Sequence, residues 1–209
     1  MIGVDEAGKG AVVGSMFVAA VAGDPDDLPD GIRDSKRLTP DERERLASLV
    51  RDGYEVSVVE IPPGEIDSYV SDGGMNDLMV EAHSRALEDI DADLTADEPI
   101  LDASDVDADR FGRRVADRLG ADETDVDAEH GADEAHPIVS AASVVAKVER
   151  DSHVAGLDAG SGYPGDPEAV EFLREQAPDY PDCVRLSWST ARRIAEKEPQ
   201  SAFNDFDLG

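Results

Sequence analysis

Met1-Ile2-Gly3-Val4-Asp5-Glu6-Ala7-Gly8-Lys9-Gly10 opens the chain and decides how the rest is read. Ile2 to Asp5 reads as a buried strand end. Two adjacent carboxylates follow the apolar run, and a Gly-Lys-Gly tripeptide follows them. Successive side chains of a strand point to opposite faces, so Asp5 and Glu6 can share one site only at a bend or a strand end. The glycines let the backbone approach a ligand closely. Acids for a hard cation, exposed amides and one cation suit a phosphodiester.

Working outward, Gly14 to Ala22 reads as the hairpin partner of the first strand, and Asp24 to Asp30 as a polar turn. Thr39-Pro40-Asp41-Glu42 predicts a helix start, with Thr39 as N-cap, Pro40 at the first position and Glu42 closing a capping box. Tyr54 to Ile61 alternates as a strand and Pro62-Pro63-Gly64 ends it. Met75, Leu78, Met79, Ala82 and Ala86 mark an amphipathic helix. Glu98 to Asp102 is a short strand ending in an acid, and Ala108 to Leu119 is a helix. Asp125 to Glu129 is a brief strand. Pro137 to Leu157 is a long helix rich in small residues, fit for close packing on a sheet. Asp166 and Pro167 start another helix, and Ser187 to Glu198 forms the last. This order predicts an α/β fold, a mixed sheet flanked by helices with a helical extension at the C-terminus.

The chain has 209 residues, 40% of them apolar, which fits one domain with a real core. Its formal charge is −30, from 49 acids against 19 bases. Naively, that opposes nucleic-acid binding. Adaptation to molar salt explains it better, because at 1 M the Debye length is about 3 Å and self-repulsion is screened. A functional acidic surface such as a DNA mimic is the competing reading. Only four lysines stand against fifteen arginines, at positions 9, 36, 147 and 197. A chain this poor in lysine keeps it where something local needs it. Low KCl is therefore expected to unfold or inactivate the protein. Circular dichroism and activity across a KCl series check this, and full activity in dilute buffer contradicts it.

Cys183 is the lone cysteine, which excludes an internal disulfide and a multi-cysteine zinc site. No apolar run approaches the roughly 20 residues of a membrane span. No leader pattern precedes the first strand. A cytoplasmic monomer is expected.

Asp5, Glu6 and Asp102 fall at or near strand ends, and Asp133 lies just before the long helix. Four converging carboxylates raise one another's pKa unless cations relieve the repulsion. Two Mg²⁺ or Mn²⁺ ions about 4 Å apart would do so. Asp105, Asp107 and Asp109 read instead as solvated surface charges.

Six motifs, in order over residues 2 to about 197, resemble the ribonuclease HII family in its archaeal form. They are Asp5-Glu6-Ala7-Gly8-Lys9-Gly10; Asp34-Ser35-Lys36-Arg37-Leu38; Leu101-Asp102-Ala103-Ser104-Asp105-Val106; Glu129-His130 with Ala132-Asp133; Ser140-Ala141-Ala142-Ser143 with Ala146-Lys147; and Gly160-Ser161-Gly162-Tyr163-Pro164. The resemblance implies a ribonuclease H-like fold with a mixed five-stranded sheet over residues 1–198. It implies endonucleolytic hydrolysis of RNA in RNA–DNA hybrids and incision at ribonucleotides embedded in duplex DNA. Two Mg²⁺ or Mn²⁺ ions would give 5′-phosphate and 3′-OH ends.

Carried over by motif, Asp5, Glu6, Asp102 and Asp133 are the catalytic, metal-binding carboxylates. Gly8, Lys9 and Gly10 read the ribose 2′-OH through the backbone, and Tyr163 packs against the sugar at the junction. Lys36 and Lys147 contact phosphates, helped by Ser143 and Arg150. The family more often has Arg at Lys9 and a basic residue at Gly131, while His130 reads equally as a proton relay or a structural partner. Residues 199–209 read as a flexible tail in which Gln200, Phe203 and Phe206 resemble a sliding-clamp-binding peptide lacking its second terminal aromatic; a tail folded back on the domain is the alternative. Two other classes share the acidic layout. They are a non-catalytic nucleic-acid-binding protein on this fold and a different nuclease such as a junction resolvase.

Overall fold

The first strand, β1 (Ile2–Ala7), runs through the acid pair and ends just before Gly8. Its partner β2 (Met16–Ala22) pairs antiparallel with Asp5 opposite Ala19, so the strand read from Gly14 begins two residues later. The computed structural model describes residues 1–32, 38–72, 74–91, 97–122 and 125–204, with side chains through Lys197. The remaining strands are β3 (Glu55–Ile61), β4 (Pro99–Asp102) and β5 (Asp127–Glu129). The five form one sheet of order β3-β2-β1-β4-β5. β4 runs parallel to both β1 and β5.

The helices are α1 (Pro40–Gly53), α2 (Pro63–Asp72), α3 (Met75–Glu88), α4 (Ala108–Leu119), α5 (Ala132–Ala135), α6 (Pro137–Ala155), α7 (Pro167–Gln176) and α8 (Ser189–Asn204). α1 begins with the expected capping box. The Glu42 amide donates to Thr39 Oγ1 at 3.3 Å, while Glu42 Oε2 accepts from the Thr39 amide at 2.9 Å. α2 escapes the sequence reading, which took Pro62-Pro63-Gly64 as a break. Pro63 instead occupies the first helical turn, where a missing N–H costs nothing. α8 passes Pro199 and runs on into the stretch read as flexible tail. A single proline removes one hydrogen bond, and a helix already propagated to that point can continue beyond it.

Close contacts divide the chain into two units. The first holds Met1–Ala7, Phe17–Glu60 and Met75–Glu149. Its core joins Ala19, Val21, Leu46, Val50 and Ile100 to Ile138, Val139, Ala142 and Val145 of α6. Gly3 explains the small residues there. A Cβ on it would lie 2.4 Å from the backbone of Ile138 and Val139, so β1 and α6 touch main chain to main chain. The second unit holds Gly8–Met16, Ile61–Gly74 and the residues from Arg150 on. Val12, Val13, Leu173, Val184 and Ile194 form its core. Fully burying one such aliphatic side chain is worth about 1.5–3 kcal/mol.

Candidate functional site

In the first unit, a pocket of about 330 Å³ is lined by Asp5, Glu6, Asp102 and Asp133 together with Ser143, Lys147, Arg43 and Gly131. The parallel register brings the acids to one end of the sheet. Val4 faces Leu101, which sets Asp5 level with Asp102 one step further along. Asp102 in turn faces Glu129. Alternation alone would separate Asp5 from Glu6. The Glu6 amide donates to Asp5 Oδ1 at 2.7 Å, which draws that carboxylate along the strand toward its neighbour.

Asp5 is 5% exposed. Burial above all, then the adjacent Glu6 charge, push its carboxyl well above the usual carboxylate range, against a hydrogen bond from Ser143. Burial also raises Asp102, with Glu6 and Asp133 adding repulsion, while the Ala132 amide donates to Asp102 Oδ1 at 3.0 Å and opposes the rise. Asp133 stands in the first turn of α5, whose N-cap Gly131 adopts φ 69°. Glu6 Oε1 accepts from Ser104 Oγ at 2.6 Å. His83 is fully buried, with Nδ1 3.0 Å from the Met79 carbonyl and Nε2 3.6 Å from Glu6 Oε2.

The donors fit a hard divalent cation. They are carboxylate oxygens, two of them on acids raised first by burial and then by neighbouring negative charge. Among the described residues no three acid, His or Cys side chains close into a ready-made cage. A hard divalent ion such as Mg²⁺ keeps several waters and takes one or two carboxylates.

Around this pocket the sequence reading missed three residues. Ser104 sits in the Leu101–Val106 motif, so its position was a signal; what it touches was not. His83 lies on an apolar helix face and reads as core. Arg43 lines the pocket from the first turn of α1, and only the packing of α1 puts it there. Asp105 overturns another expectation. It is 5% exposed and accepts at both oxygens from the single Arg110 Nη2, at 2.6 and 2.7 Å, which holds its carboxyl below the usual range. Asp107 caps α4 by accepting from the Arg110 amide at 2.9 Å. Lys147 and His130 are exposed, and Lys36 lies outside the described residues. Ser143, expected at phosphate, lends its hydroxyl to Asp5.

In the second unit, Gly8, Lys9 and Gly10 begin a segment bound to two other loops. Val12 and Val13 donate to the Gly162 carbonyl at 2.8 and 3.1 Å, and the Arg185 amide donates to the Val12 carbonyl at 2.9 Å. Gly8 adopts φ 87°, and a Cβ on it would lie 3.1 Å from both Arg150 Cγ and Ser15 O. Gly10 is different. It is exposed, and among the described residues its Cβ would meet only Tyr163 Cε1, at 3.7 Å. Tyr163 is 38% exposed, with the Arg150 guanidinium carbon 4.5 Å from its ring centroid. Arg150, expected at phosphate, is buried and donates to the Ser161 carbonyl. Gln200 and Phe203 fall within α8 with their side chains outside the described residues, and Phe206 lies outside the described residues altogether.

A mixed sheet of this order, with carboxylates crowded at the ends of β1 and β4, defines a nuclease of the ribonuclease H-like class. The sequence model of the ribonuclease HII family matches residues 2–191. Ribonuclease HII of Natronomonas pharaonis is 50% identical over 99% of both chains. Ribonuclease H2 from Pyrococcus horikoshii superposes with a TM-score of 0.85 at 38% identity, over 95% of this chain and 98% of that one. The PCNA:RNase HII complex from Archaeoglobus fulgidus gives 0.81 at 35% identity, over 92% and 95%. The chain belongs to the ribonuclease HII family. It is a divalent-metal-dependent endoribonuclease that cleaves the RNA strand of RNA–DNA hybrids.

Proposed function

We propose that this enzyme also incises duplex DNA at single embedded ribonucleotides, with Asp5, Glu6, Asp102 and Asp133 holding two Mg²⁺ or Mn²⁺ ions. The crowding of four carboxylates around one pocket carries the reading. Cations bound there would lower the pKa of water and offset charge developing on the phosphate. Ser104 and the Glu6 amide hold two of the carboxylates in place before any cation arrives. Lys147, exposed at the pocket rim, offers a point charge to a phosphate.

Gly8, Lys9 and Gly10 are the reader of the 2′-OH, the group that separates RNA from DNA. A buried, left-handed Gly8 supports this, because a fixed backbone gives a close and pre-formed contact. Tyr163 offers a half-exposed ring to the sugar, and Lys36 is assigned to phosphate from its motif alone. The relative solved in complex with PCNA supports a clamp contact, which the sequence pattern alone assigns to Gln200, Phe203 and Phe206.

A duplex with one embedded ribonucleotide tests the reading. Cleavage at that residue alone, in molar KCl with Mg²⁺ or Mn²⁺, giving 5′-phosphate and 3′-OH ends, is expected. An intact duplex, alongside active cleavage of a long hybrid, would sink it.

A further inference from the structure

Arg185 is the largest fully buried side chain of the second unit, with no exposed surface. Burying a guanidinium is expensive unless its donors are used well. Nε donates to the Gly14 carbonyl at 3.0 Å and Nη1 to the Lys9 carbonyl at 2.9 Å. The guanidinium carbon lies 5.1 Å from the Trp188 ring centroid. Burial draws its pKa down to about 10, so the charge is held at a cost and still present at neutral pH. The charge thus braces two main-chain carbonyls of a single loop, those at either end of the segment from Lys9 to Gly14.

The Lys9 carbonyl and the Gly10 N–H belong to one planar trans peptide and point in opposite directions. Holding the carbonyl on a buried guanidinium therefore turns the Gly10 N–H away from it. Gly10 is exposed, and the side chain nearest its Cβ position is Tyr163. We infer that Arg185 is a positioning residue for sugar recognition, locking the Lys9–Gly10 peptide so that the Gly10 amide is presented as a donor to the ribose O2′. The inference rests on the Gly8–Gly10 segment being the 2′-OH reader.

Two duplexes test it, each with one embedded nucleotide bearing either 2′-OH or 2′-fluorine. Fluorine accepts poorly and donates nothing, so the ratio of cleavage rates reports sugar reading. A purely structural defect slows both substrates alike and leaves that ratio unchanged. Arg185→Met removes the charge at similar volume. Arg185→Lys keeps the charge but lacks the planar fork that spans both carbonyls. In each, the ratio is expected to fall by about tenfold or more, on the scale of losing one well-placed donor. Mg²⁺ affinity by calorimetry should stay within about twofold of the parent, since the acids are untouched. An unchanged ratio in a variant that melts cooperatively overturns the inference. So does failure of both variants to fold, which would make the residue structural. Gly8→Val separates the layers. If its ratio falls while those of the Arg185 variants hold, only the role of Arg185 fails. If its ratio also holds, the segment is not the reader.

Discussion

Asp102→Asn is expected to lower kcat by about a thousandfold or more, while the protein melts at the same temperature or higher. The amide keeps an oxygen for the Ala132 N–H, 3.0 Å from Asp102 Oδ1, so the end of β4 should hold its shape. What disappears is the negative charge that would hold a cation. The charge is also a burden on the cation-free fold. Burial, Glu6 and Asp133 raise the Asp102 pKa, and burial with Glu6 raises that of Asp5 further.

An acid whose folded pKa exceeds its unfolded one binds protons more tightly in the fold. Its favourable contribution is complete below the unfolded value, about 4, and is lost as pH rises through the raised folded value. Melts in chelator should therefore show these two acids subtracting stability as pH climbs from about 4. Adding Mg²⁺ should flatten that slope in the parent more than in Asp102→Asn. Full activity of Asp102→Asn with metal present would remove Asp102 from the catalytic set.

Gly8→Val should lower kcat/KM by about a hundredfold, whereas Lys9→Ala should cost less than about tenfold. A left-handed backbone costs an L-residue roughly 1–2 kcal/mol, and a β-branched one more. The valine Cβ would also stand 3.1 Å from Ser15 O and from Arg150 Cγ. The carbonyl belongs to backbone and cannot swing aside. Lys9 contributes its carbonyl to Arg185, a bond that Lys9→Ala keeps. The sequence treats Gly8 and Gly10 alike, but the structure separates them. Gly10→Ala meets an ordinary contact at 3.7 Å and should fall nearer Lys9→Ala. Steady-state kinetics on one embedded ribonucleotide would rank the three. Equal tolerance at all three positions would argue against a backbone reader.

Much of this molecule was legible in its sequence because the signals are local. Strand alternation, the Thr39–Glu42 capping box and Asp166 before Pro167 each act over a few residues, and the elements appear near where they were read. The acids at the ends of β1 and β4 were legible for the same reason, since an apolar run followed by a carboxylate marks a strand end. The missed helix α2 had a local signal too, but a proline such as Pro63 can end a strand or begin a helix, and the sequence supports either.

Tertiary structure alone decided which charges are spent inside the protein. Asp105 and Asp107 stand two apart in one acidic run, yet one is buried on Arg110 and the other caps a helix. Arg185 is one arginine of fifteen in the sequence, and nothing nearby in the chain marks it as buried. Its carbonyl partner at Lys9 lies 176 residues away. Capping and periodicity come from short-range geometry. The environment of a buried charge is set by whichever distant segments converge on it, and that convergence exists only in the folded chain. The opening decapeptide fixed which chemistry to look for, and the fold decided which side chains hold it in place.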